Sequence, residues 1–311
     1  MFLRQLILIG LFSFSWLQPN GCSSKQTTNA QTNQNTQTQA TPTPKGKIDR
    51  QKGEQDKMDL LTQKVLNKDL SAEDLAKQMG KSAIPVLKPL VTNSDEIVRM
   101  IAVRCLEYTP GEGVEDILIN ALKDKSSNVS IEASRILQRY LSPEIYPKLL
   151  EVYDEVEYET RRKEIALMLG KIDGAKLADL KQKDEGEKNP EAKEGLMVAM
   201  AKLGDHQSRE AFLARLQRAK GQELKRFLDY VEYIQTTWAV RGLSPILGDK
   251  SELVRIGIDG EEGPEYLRAC DVAVNLIYKL MKPKFSFLIA GNKNYSEPEL
   301  QEVRAFFTTL R

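Results

Sequence analysis

The sequence predicts an all-α solenoid of about six stacked helical repeats, with capping helices at both ends. Apolar residues follow a helical period from Met58 almost to the C-terminus. Within this region, a pair of residues returns at nearly constant intervals: its first member is apolar in five of six copies, and its second is polar and usually basic. Shorter segments with the same helical period separate these pairs. Each repeat is therefore expected to be a helix, a turn and a second helix.

The recurring pairs mark the first turns of the second helices. They lie at 98/99, 129/130, 161/162, 192/193, 224/225 and 267/268, so the first four intervals are nearly equal and only the last is longer. The first helices are expected at 83–92, 113–123, 143–153, 175–183, 208–218 and 238–247. One amphipathic repeat cannot bury its apolar face alone, and its neighbours supply the missing surface.

Capping helices are expected at both ends of the stack. Residues 59–66 and 72–79 form the N-terminal cap, in which Ser71 is the N-cap residue and Asp74 the reciprocal member of a capping box. At the other end, Ser296 caps a last helix whose apolar stripe closes the core.

The repeated segment resembles the HEAT repeat, whose second helix begins with Asp-Pro-x-Val-Arg and continues through Ala to Leu-Gly. Residues 95–106 and 189–200 are the best matches, and residues 158–172 keep a Leu-Gly-Lys-Ile ending. The resemblance covers about residues 80–282. It implies a right-handed α-solenoid of HEAT-like repeats that acts as an interaction module.

The N-terminus is expected to direct export. Residues 1–21 hold one cationic residue and about a dozen apolar residues, which suits a signal peptide and is too short to span a bilayer stably. Gly21-Cys22 resembles the end of a bacterial lipobox, although Pro19 and Asn20 differ from its usual residues. The resemblance implies lipid attachment at Cys22. Cleavage by the ordinary signal peptidase and an uncleaved anchor are the alternatives.

Residues 22–57 are expected to form a disordered tether. Residues 25–46 are almost entirely Thr, Gln and Asn and have no Leu, Ile, Val or aromatic residue to offset the entropy cost of ordering. Ser23 is unlike the aspartate that keeps enteric lipoproteins in the inner membrane, which favours the outer membrane. The repeat domain is then residues 58–311.

Composition narrows the function classes. The chain has 45 Lys+Arg and 44 Asp+Glu, and removal of residues 1–21 leaves no cationic excess that would favour nucleic acid. His206 is the only histidine, so multi-histidine zinc sites are excluded. The acidic runs at 154–159 and 184–187 do not follow EF-hand spacing. We predict no catalytic residue, metal or cofactor, and an exposed His206 at the turn into a helix.

A row of basic residues is the first candidate binding surface. On one face of the solenoid, such a row would grip an anionic partner, whereas the HEAT resemblance implies that it holds adjacent repeats together. Ser130 interrupts the row in the second repeat. The members of the row are Arg99, Arg162, Lys193, Lys225 and Arg268.

The long last interval gives the second candidate. An insertion at 248–263 contains a segment, 253–260, that is expected to be extended and to end in a tight turn. Insertions in solenoids often lie on the binding face, and Arg255 and the nearby Tyr266 are its candidate residues. The alternative interpretation is that the insertion is a purely structural loop, and the sequence favours neither.

Cys105 and Cys270 are expected to be buried and reduced. They lie in the first and sixth repeats, about 50 Å apart if each repeat adds roughly 10 Å. A disulfide needs Cα atoms within about 7 Å, so a bond between them is excluded in a solenoid.

Together these features predict a non-catalytic protein–protein interaction scaffold, displayed from the bacterial cell envelope by a lipid anchor. The expected partners are an unidentified envelope protein and, through Cys22, the membrane. Two alternatives stay open. HEAT-like repeats also occur in bilin lyases and in some bacterial DNA glycosylases, so an enzyme or a small-molecule carrier is possible on this fold. The other alternative is a structural assembly factor of an envelope complex.

Overall fold

Helical repeats follow one another along the chain in the computed structural model, which describes residues 44–256 and 265–309. Each first helix packs against the second helix of its own repeat, and successive second helices contact one another. Residues 49–311 form one compact unit. The predicted all-α solenoid is confirmed. No described helix is both long enough and apolar enough to cross a membrane.

The N-terminal cap consists of α1 (Pro44–Leu66) and α2 (Ala72–Met79). Repeats 1 to 4 follow as α3 (Ile84–Leu90) and α4 (Glu96–Cys105), α5 (Val114–Ala121) and α6 (Ser127–Leu137), α7 (Tyr146–Glu155) and α8 (Glu159–Leu169), and α9 (Leu177–Gly186) and α10 (Pro190–Lys202). Repeat 5 is α11 (His206–Arg218) and α12 (Gly221–Ile234). Repeat 6 is α13 (Thr237–Arg241), strands β1 (Glu252–Arg255) and β2 (Tyr266–Arg268), and α14 (Ala269–Met281). The chain ends with α15 (Glu297–Thr309).

The acid or amide that opens the repeated motif is the N-cap residue of the second helix. The Asp95 side chain accepts the backbone N–H of Ile97 at 2.9 Å, and the Asn189 side chain accepts that of Glu191 at 2.8 Å. These bonds satisfy N–H groups that have no partner within the helix. The motif therefore fixes where α4 and α10 begin.

Buried apolar residues form two clusters that meet at α10. The first extends from Leu61 to Met200 and the second from Val198 to Val303. Helix α10 packs closely against α8: a Cβ added at Gly195 of α10 would lie 2.8 Å from the Cα and carbonyl oxygen of Lys163 in α8. Glycine at this position lets α8 and α10 approach each other.

The N-terminal boundary differs from the sequence prediction. Helix α1 begins at Pro44, so it covers residues 44–57 of the predicted tether. This segment holds four Lys, two Gln, one Arg and one Glu, which favour a helix that is already held by buried residues further along, and these outnumber its two glycines. The predicted signal peptide (1–21), Cys22 and the tether up to residue 43 lie outside the described residues.

The predicted Ser71 cap is wrong. Ser71 has helical backbone angles and its side chain makes no capping hydrogen bond. Its hydroxyl instead accepts from Lys64 Nζ at 2.6 Å, while Asp69 accepts the Ser71 N–H at 2.9 Å. At the other end, the Glu299 carboxylate accepts the N–H of Ser296 at 2.8 Å, in keeping with a helix start there.

Repeat 6 contains a short antiparallel β-hairpin. The extended conformation predicted at 253–260 is confirmed over β1, and the predicted tight turn falls in 257–264, outside the described residues. Arg268, expected at the start of a helix, is the last residue of β2. The reason is that the Asp271 carboxylate accepts the Arg268 N–H at 3.0 Å and so places the start of α14 after this residue.

Candidate binding surface

Arg99 ties repeat 1 to repeat 2. Its Nε and Nη2 donate to the two carboxylate oxygens of Asp124 at 2.7 and 2.9 Å, and its Nη1 donates to the carbonyls of Asn93 and Ser94 at 2.9 and 3.1 Å. Asp124 also accepts the N–H of Ser126, the N-cap residue of α6, at 2.8 Å. Arg99 is only 5% exposed. The pair therefore joins the starts of α4 and α6 and offers little surface to a partner.

The charges of this pair are fixed by the same contacts. Burial would by itself raise the pKa of Asp124, but the hydrogen bonds from Arg99 and from the Ser126 N–H outweigh it, and the pKa lies below its usual 3.8. The hydrogen bond to Asp124 raises the pKa of Arg99. Both groups are charged at neutral pH, and each neutralises the other.

Arg162 repeats this geometry between repeats 3 and 4. Its Nε donates to Glu187 at 2.8 Å and its Nη1 to the carbonyls of Val156 and Glu157 at 2.9 and 3.2 Å. Glu187 accepts the N–H of Asn189, the N-cap residue of α10, at 2.9 Å. Each acid lies 25 residues after its arginine. Arg99 and Arg162 are thus two copies of one tie between neighbouring repeats.

Ser130 interrupts the row in repeat 2, and another residue replaces the missing tie. The buried Ser130 hydroxyl donates to the carbonyl of Ser126 at 3.1 Å and accepts from Arg161 Nη2 at 2.5 Å. Arg161 is 3% exposed and also pairs with Glu164 at 2.6 Å. Repeats 2 and 3 are therefore joined through an arginine of repeat 3.

The side chains of Lys193 and Lys225 make no hydrogen bond or ion pair within the described chain. Lys193 is exposed on α10, and Lys225 is half-buried on α12. Counted from Lys193, the position that corresponds to Asp124 and Glu187 holds Arg218, so no acid is available where the tie would form.

The last three predicted residues lie in repeat 6. Arg268 donates to both carboxylate oxygens of the fully buried Asp271, at 2.7 and 2.8 Å, and to the carbonyl of Tyr295 at 2.6 Å. Arg255 and Tyr266 face each other across the β-hairpin; the Arg255 side chain is 54% exposed and pairs with Glu265, and Tyr266 is half-buried. The predicted residues therefore do not form one continuous basic stripe.

Two open grooves lie beside the arginine ties. The N-terminal groove, of about 540 Å³, lies beside the Arg99 tie, between the ends of α3 and α5. Arg99 and Asp124 neutralise each other, and Lys123 pairs with Glu155 at 2.9 Å. No ion pair engages the other two lysines within residues 44–256 and 265–309. The charged residues that line this groove are Lys88, Arg99, Lys123, Asp124 and Lys125.

The neutral groove, of about 400 Å³, lies beside the Arg162 tie two repeats further on. Its two cations each have an acid in the groove: Arg162 pairs with Glu187, and Lys183 with Asp154. Tyr153 also donates to Glu187 at 2.9 Å. The N-terminal groove therefore carries two unpaired lysines that its counterpart lacks.

A third site, which was not predicted from the sequence, lies at the C-terminal ends of the second helices. This lysine pocket has a volume of about 610 Å³. Three of its residues, Lys171, Lys202 and Tyr233, follow one another at the spacing of the repeat, so an alignment of helix ends as well as helix starts would have found them. The residues of α6 to α12 that define it are Gln138, Lys171, Lys202, Asp229, Glu232 and Tyr233.

A buried carboxylate joins three helices. Glu194 of α10 is 5% exposed and accepts from Arg215 Nη2 at 2.5 Å, Arg226 Nε at 2.7 Å and Tyr230 Oη at 2.9 Å. Burial would by itself raise its pKa, but these partners hold the pKa below its usual value. Nothing in the sequence around Glu194 identifies partners on α11 and α12, so this tie was not predicted.

His206 and two of the cysteines lie in the environments that the sequence predicts. His206 is the first residue of α11, and its side chain is 83% exposed. Cys105 and Cys270 are buried and unpaired, and burial raises the pKa of Cys105 to about 12. Among the described residues, no group of three or more His, Cys, Asp or Glu side chains is placed to hold a metal ion.

Comparison with known proteins agrees with this architecture. A family model described as HEAT repeats matches residues 84–170, which run from the start of α3 to the end of α8. No curated protein matches the chain. HEAT repeats commonly serve as scaffolds for protein interactions. The matched segment and the solenoid of stacked repeats support a HEAT-repeat protein.

Proposed function

We propose that this protein is a non-catalytic protein–protein interaction scaffold, displayed from the bacterial cell envelope by a lipid on Cys22. The partner is an envelope protein, which binds through an acidic segment. The sequence supports the envelope location through the apolar residues 1–21 and the Gly21-Cys22 pair. The match to HEAT repeats supports the scaffold role.

The N-terminal groove is the observation that carries the proposal. Most basic residues of the predicted row are neutralised within the fold, whereas Lys88 and Lys125 are exposed and have no ion pair with the described chain. A carboxylate-bearing segment would complement these two charges, and such complementarity favours encounter and specificity. The neutral groove has the equivalent position beside an arginine tie without the excess charge, so it supplies an internal control.

Affinity capture from solubilised envelopes tests the proposal. The bait is the full chain carrying Lys88→Glu and Lys125→Glu, compared with the unmodified chain and with Lys188→Glu. Lys188 is exposed and lies two repeats after Lys125. We expect the unmodified chain and Lys188→Glu to retain the same envelope protein. The double variant should retain at least tenfold less of it, because two positive charges that would attract the acidic segment become negative.

Equal retention by all three baits would contradict the role of the N-terminal groove. If no protein were retained and a small molecule copurified with the chain, the enzyme or carrier alternative would replace the scaffold. A set of partners that together form one envelope complex would favour the assembly factor.

The anchor is tested separately with Cys22→Ala. We expect this change to abolish labelling with radioactive palmitate and to move the protein from the membrane fraction to the soluble fraction. Unchanged labelling and fractionation would contradict lipid attachment at Cys22.

A further inference from the structure

The lysine pocket brings two cations to one aromatic ring. Lys171 Nζ lies 5.5 Å and Lys202 Nζ 5.2 Å from the centre of the Tyr233 ring. The ring itself is fixed, because the Tyr233 hydroxyl donates to the carbonyl of Leu167 at 2.8 Å and lies against Gly170, where an added Cβ would be 2.4 Å from it. The two ammonium groups are therefore held at a rigid platform.

Both ammonium groups keep unused hydrogen-bond donors. Lys171 Nζ donates to Gln138 Oε1 at 2.8 Å. Lys202 Nζ donates to the carbonyls of Tyr233 and Ile234, at 3.0 and 3.3 Å, at the end of α12. Since an ammonium has three donors, at least two remain on Lys171 and one on Lys202. These hydrogen-bond acceptors are all neutral oxygens, so within residues 44–256 and 265–309 no ion pair neutralises either ammonium group.

The acids of the lysine pocket do not pair with these lysines. Glu232 pairs with Lys279 at 2.5 Å, and Asp229 forms no ion pair with either pocket lysine. Burial lowers the pKa of Lys171 and the positive charge of Lys202 lowers it further, and together they outweigh the negative charge of Glu232, which acts in the opposite direction. Burial also lowers the pKa of Lys202. Two like charges that are partly removed from water raise the free energy of the empty site, and an anion between them would relieve this cost.

The size and the charges of the site define the ligand. A volume of about 610 Å³ falls in the range of small-molecule sites. Asp229 and Glu232 line the same pocket and would repel a compact, highly charged anion such as phosphate. A carboxylate instead brings a single negative charge and two acceptor oxygens to two ammonium groups that lie near the same ring, and the rest of such a ligand would have the ring of Tyr233 beside it.

We propose that the lysine pocket binds a small organic carboxylate, whose oxygens accept hydrogen bonds from Lys171 and Lys202. This site lies at the C-terminal ends of the second helices and shares no lining residue with the N-terminal groove. It therefore goes beyond the proposed scaffold, and either can fail without the other.

Isothermal titration calorimetry on the full chain tests the site. The probes are benzoate, L-glutamate and inorganic phosphate at matched ionic strength, and the variants are Lys171→Gln, Lys202→Gln and, as control, Lys193→Gln. Lys193 is an exposed lysine on the same helix as Lys202. We expect saturable binding of at least one carboxylate probe, weakened about tenfold by either pocket variant and unchanged by the control, because each lysine supplies a charge-assisted hydrogen bond.

Loss of the α12 contacts could unfold Lys202→Gln, so circular dichroism accompanies each titration and Lys171→Gln provides the independent test. A second readout uses acylation by acetic anhydride, followed by mass spectrometry. A saturating carboxylate should slow the acylation of Lys171 and Lys202 and leave that of Lys193 unchanged. Absence of binding by both carboxylates, equal affinity in all variants, or tighter binding of phosphate than of either carboxylate would overturn the proposal.

Discussion

The junctions after repeats 1 and 3 differ from those after repeats 2 and 4. At the junctions after repeats 1 and 3, Arg99 and Arg162 each pair with an acid 25 residues further on, and each pair joins the starts of two helices. Repeat 2 has Ser130 in place of the arginine, and repeat 4 has Lys193 with Arg218 where the acid would be. A recurring basic residue is therefore a structural tie only when its partner recurs with it.

The irregular junctions are joined by other residues. Between repeats 2 and 3, Arg161 reaches back to Ser130. Between repeats 4 and 5 the direction of charge is reversed, because the acid Glu194 lies on α10 and the basic partners Arg215 and Arg226 lie in repeat 5. Each junction has its polar tie, but only two of these four use the residue that the repeated motif marks.

The largest expected effect is that of Arg99→Ala. This change leaves the Asp124 carboxylate, whose side chain is only 11% exposed, and two carbonyl oxygens without their partner, and we expect the free energy of unfolding to fall by about 3–4 kcal/mol. Chemical denaturation followed by circular dichroism measures it. Lys193→Ala is the matched control and should change stability by less than about 0.5 kcal/mol. Similar losses of stability in Arg99→Ala and Lys193→Ala would contradict the difference between the junctions after repeats 1 and 4.

Glu194→Ala should cause the next largest loss of stability. It removes the common acceptor of Arg215, Arg226 and Tyr230, but both arginine side chains are about 40% exposed and can be solvated instead. We therefore expect a loss of about 2–3 kcal/mol in the same denaturation experiment. A loss below about 0.5 kcal/mol would show that repeats 4 and 5 are not joined through this carboxylate.

Ser130→Arg tests whether the regular tie can be restored in repeat 2. Ser130 is fully buried and its hydroxyl contacts Arg161, so a second guanidinium would be crowded against the first. We expect a loss of about 1–3 kcal/mol rather than a gain. Increased stability, measured by thermal unfolding, would mean that an arginine at this position of the motif is enough to form the tie between repeats.

The smallest effect is a pH dependence. Because the folded-state pKa of Asp124 lies below its usual 3.8, its contribution to stability is fully present above that value and is lost as the pH falls through the lowered pKa. In Arg99→Ala this carboxylate has no arginine to pair with, so its protonation no longer breaks an ion pair between repeats 1 and 2. The stability difference between wild type and Arg99→Ala should therefore narrow between pH 5 and pH 2. A constant difference would contradict the charge pairing.

The repeat period made the fold predictable, since helical spacing and the near-constant interval between copies of the motif place both helices of most repeats. Two kinds of feature were not predicted correctly from the sequence. Ser71 looked like a cap because of its position, but Lys64 and Asp69 offer it better partners. Glu194 and the lysine pocket depend on helices of several repeats, and a motif that is aligned only at helix starts does not reveal what the other ends bring together.

The β-hairpin of repeat 6 shows the same limit on a smaller scale. The sequence indicates an extended segment at β1, but the motif assigns Arg268 to a helix. The side chain of Asp271, three residues later, ends the strand by accepting the Arg268 N–H. Local hydrogen bonding thus decides a boundary that the period of the repeat cannot.

A double-mutant cycle on Arg99 and Asp124 tests most directly whether the recurring basic residues tie neighbouring repeats together. Stabilities of wild type, Arg99→Ala, Asp124→Ala and the double variant give the coupling energy between the two side chains. The structure predicts a coupling of about 2–3 kcal/mol, with Arg162 and Glu187 giving a value of the same sign. A coupling near zero, with additive losses, would contradict the tie and return Arg99 to the set of candidate binding residues.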